Sequence, residues 1–116
     1  MDNSILADIK SLLGAGNIDG FDSDIILHIN SVLLVLRQLG VGPSDGFMIT
    51  GSDETWNDLL ADNDPNMLAA VKTYVYLKVK LIFDPPMSGT VMQATKDLIA
   101  ELEWRLNVTV DPEENG

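Results

Sequence analysis

At 116 residues with 46% hydrophobic side chains, the chain fits one domain that buries a core without help from metal or disulfide. The absence of cysteine excludes a disulfide scaffold and thiolate chemistry and fits a reducing cytosol. Eighteen acidic against seven basic residues, a formal net charge of -11, disfavour a tight binder of nucleic-acid backbone, which needs clustered Lys and Arg.

The start of the chain, Met1 to Asp8, carries charge where a secretory signal needs an apolar core, and no apolar run approaches the ~20 residues that span a bilayer. A cytoplasmic chain without membrane contact is expected. Helical spacing of apolar residues dominates, and it predicts an all-α, single compact domain of five helices over residues 1–107, followed by an extended or flexible tail over 108–116. The first helix is expected from Asn3 to Leu13, with Ile5, Leu6, Ile9, Leu12 and Leu13 on one face. Ser4 or Asn3 caps it and Gly14-Ala15-Gly16 ends it.

Asp22-Ser23-Asp24 opens the second helix with a capping residue and favourable negative charge. Its apolar arc of Ile25, Ile29, Val32, Leu33, Leu36 and Leu39 runs to the stop at Gly40, while Leu27 and Leu34 interrupt the opposite, polar side that holds His28. Such a helix is either buried all round or touches another subunit. Residues 41–51 have the glycine and proline content of a loop, with Phe47, Met48 and Ile49 as an apolar island that reads as a short strand or a docking loop. A short helix from Trp56 to Leu60 follows, and Asp62-Asn63-Asp64-Pro65 separates it from the next.

The fourth helix is predicted from Pro65 to Phe83, with proline in its first turn, where a missing N–H costs nothing. Leu68, Val71, Val75, Val79 and Ile82 form its core stripe, and Lys72, Tyr76 and Lys80 recur every four residues on another face. Asp84-Pro85-Pro86 makes a rigid corner. The fifth helix, from Ser88 or Gly89 to Asn107, turns Val91, Thr95, Leu98, Ile99, Leu102 and Leu106 to the core. Glu101 and Arg105 are spaced for an ion pair, and Trp104 lies on the far side.

Catalytic equipment is sparse. His28 is the only histidine and no cysteine accompanies it, so the common zinc sets cannot form. Glu101 and Glu103 stand two apart on a helix and point different ways, which makes them poor partners for acid-base work. Asp19–Asp24 and Asp62–Asp64 lack the glycine and distant glutamate of a calcium loop, and the glycines between 40 and 51 lack the Lys-Ser or Lys-Thr of a phosphate loop. No catalytic, cofactor-binding or metal residue is expected, and an enzyme is not predicted. The residues left for interaction are Leu27, Leu34, Phe47, Met48, the Lys72-Tyr76-Lys80 stripe and Trp104.

The stretches His28-Ile-Asn-Ser31, Gln38-Leu-Gly-Val-Gly42, Thr55-Trp56, Ala70-Val-Lys-Thr-Tyr-Val-Tyr-Leu-Lys78, Phe83-Asp-Pro-Pro86 and Glu101-Leu-Glu-Trp-Arg-Leu-Asn107 together resemble the head-tail connector proteins of long-tailed bacteriophages and prophages. The resemblance implies an all-helical protein that assembles as a ring of about a dozen copies in the virion neck after synthesis in the host cytoplasm. Its implied partners are itself, the portal protein and a tail or stopper protein. DNA passes through the ring without specific binding, and an acidic lumen would repel its phosphates. The alternative reading is a small helical protein-protein interaction module or dimeric regulator unrelated to virions.

Overall fold

The computed structural model describes residues 4–14, 21–43, 45–60, 65–83 and 85–110, with backbone alone for 108–110. Five helices follow one another among them: α1 (Ile5–Leu13), α2 (Asp22–Gln38), α3 (Trp56–Leu59), α4 (Pro65–Phe83) and α5 (Gly89–Val110). No strand forms among the described residues. A single antiparallel bridge joins Ser4 to Thr55. The expected roles of Asn3, Ala15, Gly16, Asp19, residues 62–64, Asp84 and the tail from residue 111 lie outside the described residues.

Local chemistry sets the helix ends. The Ser4 hydroxyl accepts the Ala7 amide at 3.2 Å and starts α1. Gly14 ends it at φ 80°, a left-handed conformation that glycine adopts without a Cβ penalty. The expected capping side chain of α2 is not used: Phe21 occupies the cap position without a side-chain bond. Asp22 instead pairs with Lys10 at 2.7 Å. At the other end of α2 the Gly40 amide reaches Arg37 O and the Val41 amide reaches Leu36 O, a paired closure that needs Gly40 at positive φ. Thr55 and Asp58 cap α3 reciprocally, at 3.2 and 3.0 Å.

The core lies between α4 and its neighbours. α4 packs on α2 and α5, and α1 lies against both α2 and α4. Ile25, Ile29, Leu36, Val71, Val75 and Val79 are fully or almost fully buried, as their spacing predicts. Leu39 is only half-buried. Tyr74 joins the core with no exposed surface, because its hydroxyl finds a partner on α5. Four residues expected in the core are instead exposed: Leu12, Ile82, Val91 and Leu98. Among the described side chains of α5, only Ile99 and Leu106 are buried, with Leu102 packed against the core, so its first half lacks the cover that its apolar pattern calls for. α5 also continues past Asn107 to Val110.

Candidate interaction surfaces

Asn30 builds the first surface. Its side-chain amide donates to Ile49 O at 3.0 Å and its carbonyl accepts the Ile49 amide at 2.7 Å. One side chain therefore supplies both bonds that a neighbouring strand would have given, and the 47–49 island is held in place as a loop. Ile49 is buried by this clamp, Phe47 is half-buried and Met48 remains exposed. Leu27 and Leu34, exposed to 63% and 54%, face the same loop across a groove of about 520 Å³. Four of the eight residues singled out from the sequence thus meet in one place, and Arg37 and Asp45 also line it.

The α4 stripe is more embedded than its spacing implies. Lys72, Tyr76 and Lys80 are all half-buried, and Tyr76 packs against the core. Lys72 Nζ lies 3.5 Å from Asp8 Oδ2 and 5.6 Å from the centre of the Trp56 ring. The same Asp8 oxygen accepts the Trp56 indole N–H at 2.8 Å. This trio ties α1, α3 and α4 together from residues 64 positions apart at most, so periodicity within one helix cannot reveal it.

A second trio joins α4 to α5. The Tyr74 hydroxyl donates to Glu103 Oε2 at 2.7 Å, and Lys78 Nζ stands 3.9 Å from the same oxygen. Burial, then the bond to Glu103 and its negative charge, push the Tyr74 hydroxyl well above the ordinary tyrosine range. Trp104, one residue beyond Glu103, points away from the core and is 66% exposed.

Exposed apolar side chains also stand at the end of α4, in the connection and along the first half of α5. Ile82, Met87, Val91 and Leu98 all lie open, Met87 completely. Sequence reasoning assigns three of these to the core and passes over Met87, because spacing identifies a face and not its cover. Pro85 and Pro86 keep α4 and α5 from running on as one helix. The Ser88 hydroxyl then accepts the Val91 amide at 3.3 Å and starts α5 afresh.

Among the described residues no cluster of three or more His, Cys, Asp or Glu converges, and none of the described helices is long and apolar enough to cross a membrane. Glu54 has a lowered pKa through hydrogen bonds from the Thr50 backbone and hydroxyl, but it serves a turn at the surface. The arrangement offers docking faces. Compared with known proteins, residues 5–113 match the family model described as phage connector protein. No curated protein and no solved structure matches.

Proposed function

Since the chain belongs to the phage connector protein family, we propose that it is a ring-forming adaptor between portal and tail. Membership makes it a structural connector of phage that meets other head and tail proteins, and the neck of the virion is the place for such a part. The finer reading is that copies close a ring beneath the portal, contact portal on one side and a tail or stopper protein on the other, and surround the exit path of DNA. Assembly takes place in the host cytoplasm.

The observation that carries this reading is the presence of two separate apolar surfaces on one small body. One holds Leu27, Leu34 and Met48, and the other is the α5 strip of Val91 and Leu98, seven residues apart on one helix face. A ring subunit needs two unlike faces that match its neighbours head to tail, and exposed apolar surface is what such faces are built from. Trp104 is suited to a partner outside the ring, since exposed aromatic side chains are common interface anchors.

The test combines the purified chain with purified portal protein and follows the product by native mass spectrometry and electron microscopy. A closed ring seated on the portal is expected. A strict dimer that ignores the portal would show the alternative, a small interaction module, to be correct. The charge of the inner surface is a separate check on DNA transit, and a lumen lined by Lys and Arg would refute an acidic, non-adhesive channel.

A further inference from the structure

Two exposed helix strips in this chain have the same layout. On α2, Leu27 and Leu34 are seven residues apart, and Arg37 follows one turn later. On α5, Val91 and Leu98 are seven apart, and Glu101 follows one turn later. Each pair spans ~10.5 Å along its helix. The residues between them are of modest size on both strips: Asn30 and Ser31 on α2, Ala94 and Thr95 on α5.

The match extends to the polar atoms. The Ser31 hydroxyl donates to Leu27 O at 3.1 Å, and the Thr95 hydroxyl donates to Val91 O at 2.8 Å. Both hydroxyls are satisfied within their own helix, so neither needs water or a partner across a dry seam. The α2 strip is one wall of the groove closed on its other side by residues 45–48, whereas the α5 strip is an exposed helix face at Val91 and Leu98. An exposed apolar helix face laid into a groove is the helix-in-groove mode of recognition.

Resting on the ring reading above, we propose that α5 of one copy lies parallel to α2 of the next copy in this groove, with Val91 against Leu27, Leu98 against Leu34 and Glu101 facing Arg37. Charge fixes the direction. In this register the acid of the α5 strip meets the cation of the groove, and Arg105, which holds Glu101 at 2.7 Å, comes to the end of the groove where Asp45 lies. Reversing the helix carries Glu101 to the Asp24 end of α2, acid against acid. The contact is heterologous, groove to helix face, and therefore propagates around a ring instead of stopping at a dimer.

The lack of native cysteine allows a direct test. Leu34→Cys in one batch and Leu98→Cys in another are mixed under mild oxidation; both positions are exposed, and circular dichroism verifies that each variant folds. The expected product is the mixed disulfide dimer, one copy of each variant, in large excess over either homodimer. A statistical mixture, or a dominant homodimer of the Leu34→Cys variant, would overturn the proposal. Adding Arg37→Glu to the first batch should cut the mixed yield about tenfold, and Glu101→Arg in the second should restore it; absence of that rescue would overturn the register. Rings that still form on the portal with both Leu34→Asp and Leu98→Asp would end this inference and leave the ring reading standing. A portal-indifferent wild type would end the ring reading instead.

Discussion

Tyr74 gives the fold its sharpest quantitative test. It has no exposed surface, and its hydroxyl donates to Glu103 at 2.7 Å. A hydrogen bond to a charged acceptor contributes ~1.5–3 kcal/mol. The Glu103 side chain is 36% exposed, so water reaches the carboxylate once the phenol is gone, and Tyr74→Phe should cost about 1.5 kcal/mol, the lower end of that range. Glu103→Leu strands the buried hydroxyl and adds its desolvation, for a total of about 3 kcal/mol. The double variant strands nothing and should cost clearly less than the sum. For a domain of this size, with ~4 °C per kcal/mol, Tyr74→Phe lowers Tm by about 6 °C and Glu103→Leu by about 12 °C. Alkali supplies a second reading. The Tyr74 pKa is raised in the folded state, so the stabilisation is fully present below the ordinary value of 10.0 and is lost as pH climbs from there toward the folded value. The stability gap between wild type and Tyr74→Phe should therefore close by about 1.4 kcal/mol per pH unit above that point. Calorimetry of the four proteins across pH checks both results. Strictly additive costs, or a gap that ignores alkali, would refute the buried bond.

Asn30→Ala removes both bonds to Ile49 and should cost ~1–3 kcal/mol; hydrogen exchange at the Ile49 amide should accelerate with it, and an unchanged rate would mean that another group holds the loop. Glu54 has a folded pKa below the ordinary glutamate value, so its stabilisation is present above that value and disappears as pH falls through the lower one. Glu54→Gln should flatten the acid limb of the Tm-pH curve below the ordinary glutamate value of 4.5, whereas a limb parallel to that of wild type would deny the turn its role. Lys72→Glu sets an acid beside Asp8 and removes the cation over Trp56, which should destabilise the isolated chain by about 1 kcal/mol in thermal unfolding. Trp104→Ala should leave stability within about 0.5 kcal/mol, and a larger loss would mean that the indole packs on its own chain.

What the sequence discloses is what depends on neighbours along the chain. The bounds of α4 from Pro65 to Phe83, the Ser4 cap and the glycine stop after α1 follow from residues within a turn of each other. Leu27 and Leu34 are legible as misplaced apolar residues because the helix around them defines a polar side, and Met48 because it belongs to an apolar island in a loop rich in glycine and proline. The clamp of Asn30 on Ile49, the Asp8-Trp56-Lys72 trio and the Tyr74-Glu103 bond join residues 19, 48, 64 and 29 positions apart or fewer, and no local pattern marks them. Tyr74 sits at the spacing of the core stripe, yet a phenol belongs there only if an acceptor lies within its reach. Val91 and Leu98 show the opposite failure: the pattern demands cover, and the single chain does not provide it.

Salt separates two ways of assembling these copies. Lys72 of the α4 stripe and its neighbour Lys78 each lie within 4 Å of an acid of their own chain, at 3.5 and 3.9 Å, so an interface built on the lysines of α4 would first have to weaken those pairs. A seam of Leu27, Leu34, Val91 and Leu98 draws its energy from apolar burial, at ~25 cal/mol per Å², and salt does not screen that. Each copy carries a net charge of -11, so neighbours repel through solvent over a Debye length of ~8 Å at physiological ionic strength. With an apolar seam, raising salt from about 0.05 to 0.5 M should remove repulsion and strengthen association, despite the loss of some attraction between Arg37 and Glu101. With a lysine-acid interface the same change should weaken it. Sedimentation of the assembled species across that range distinguishes them, and dissociation at high salt would count against the apolar seam.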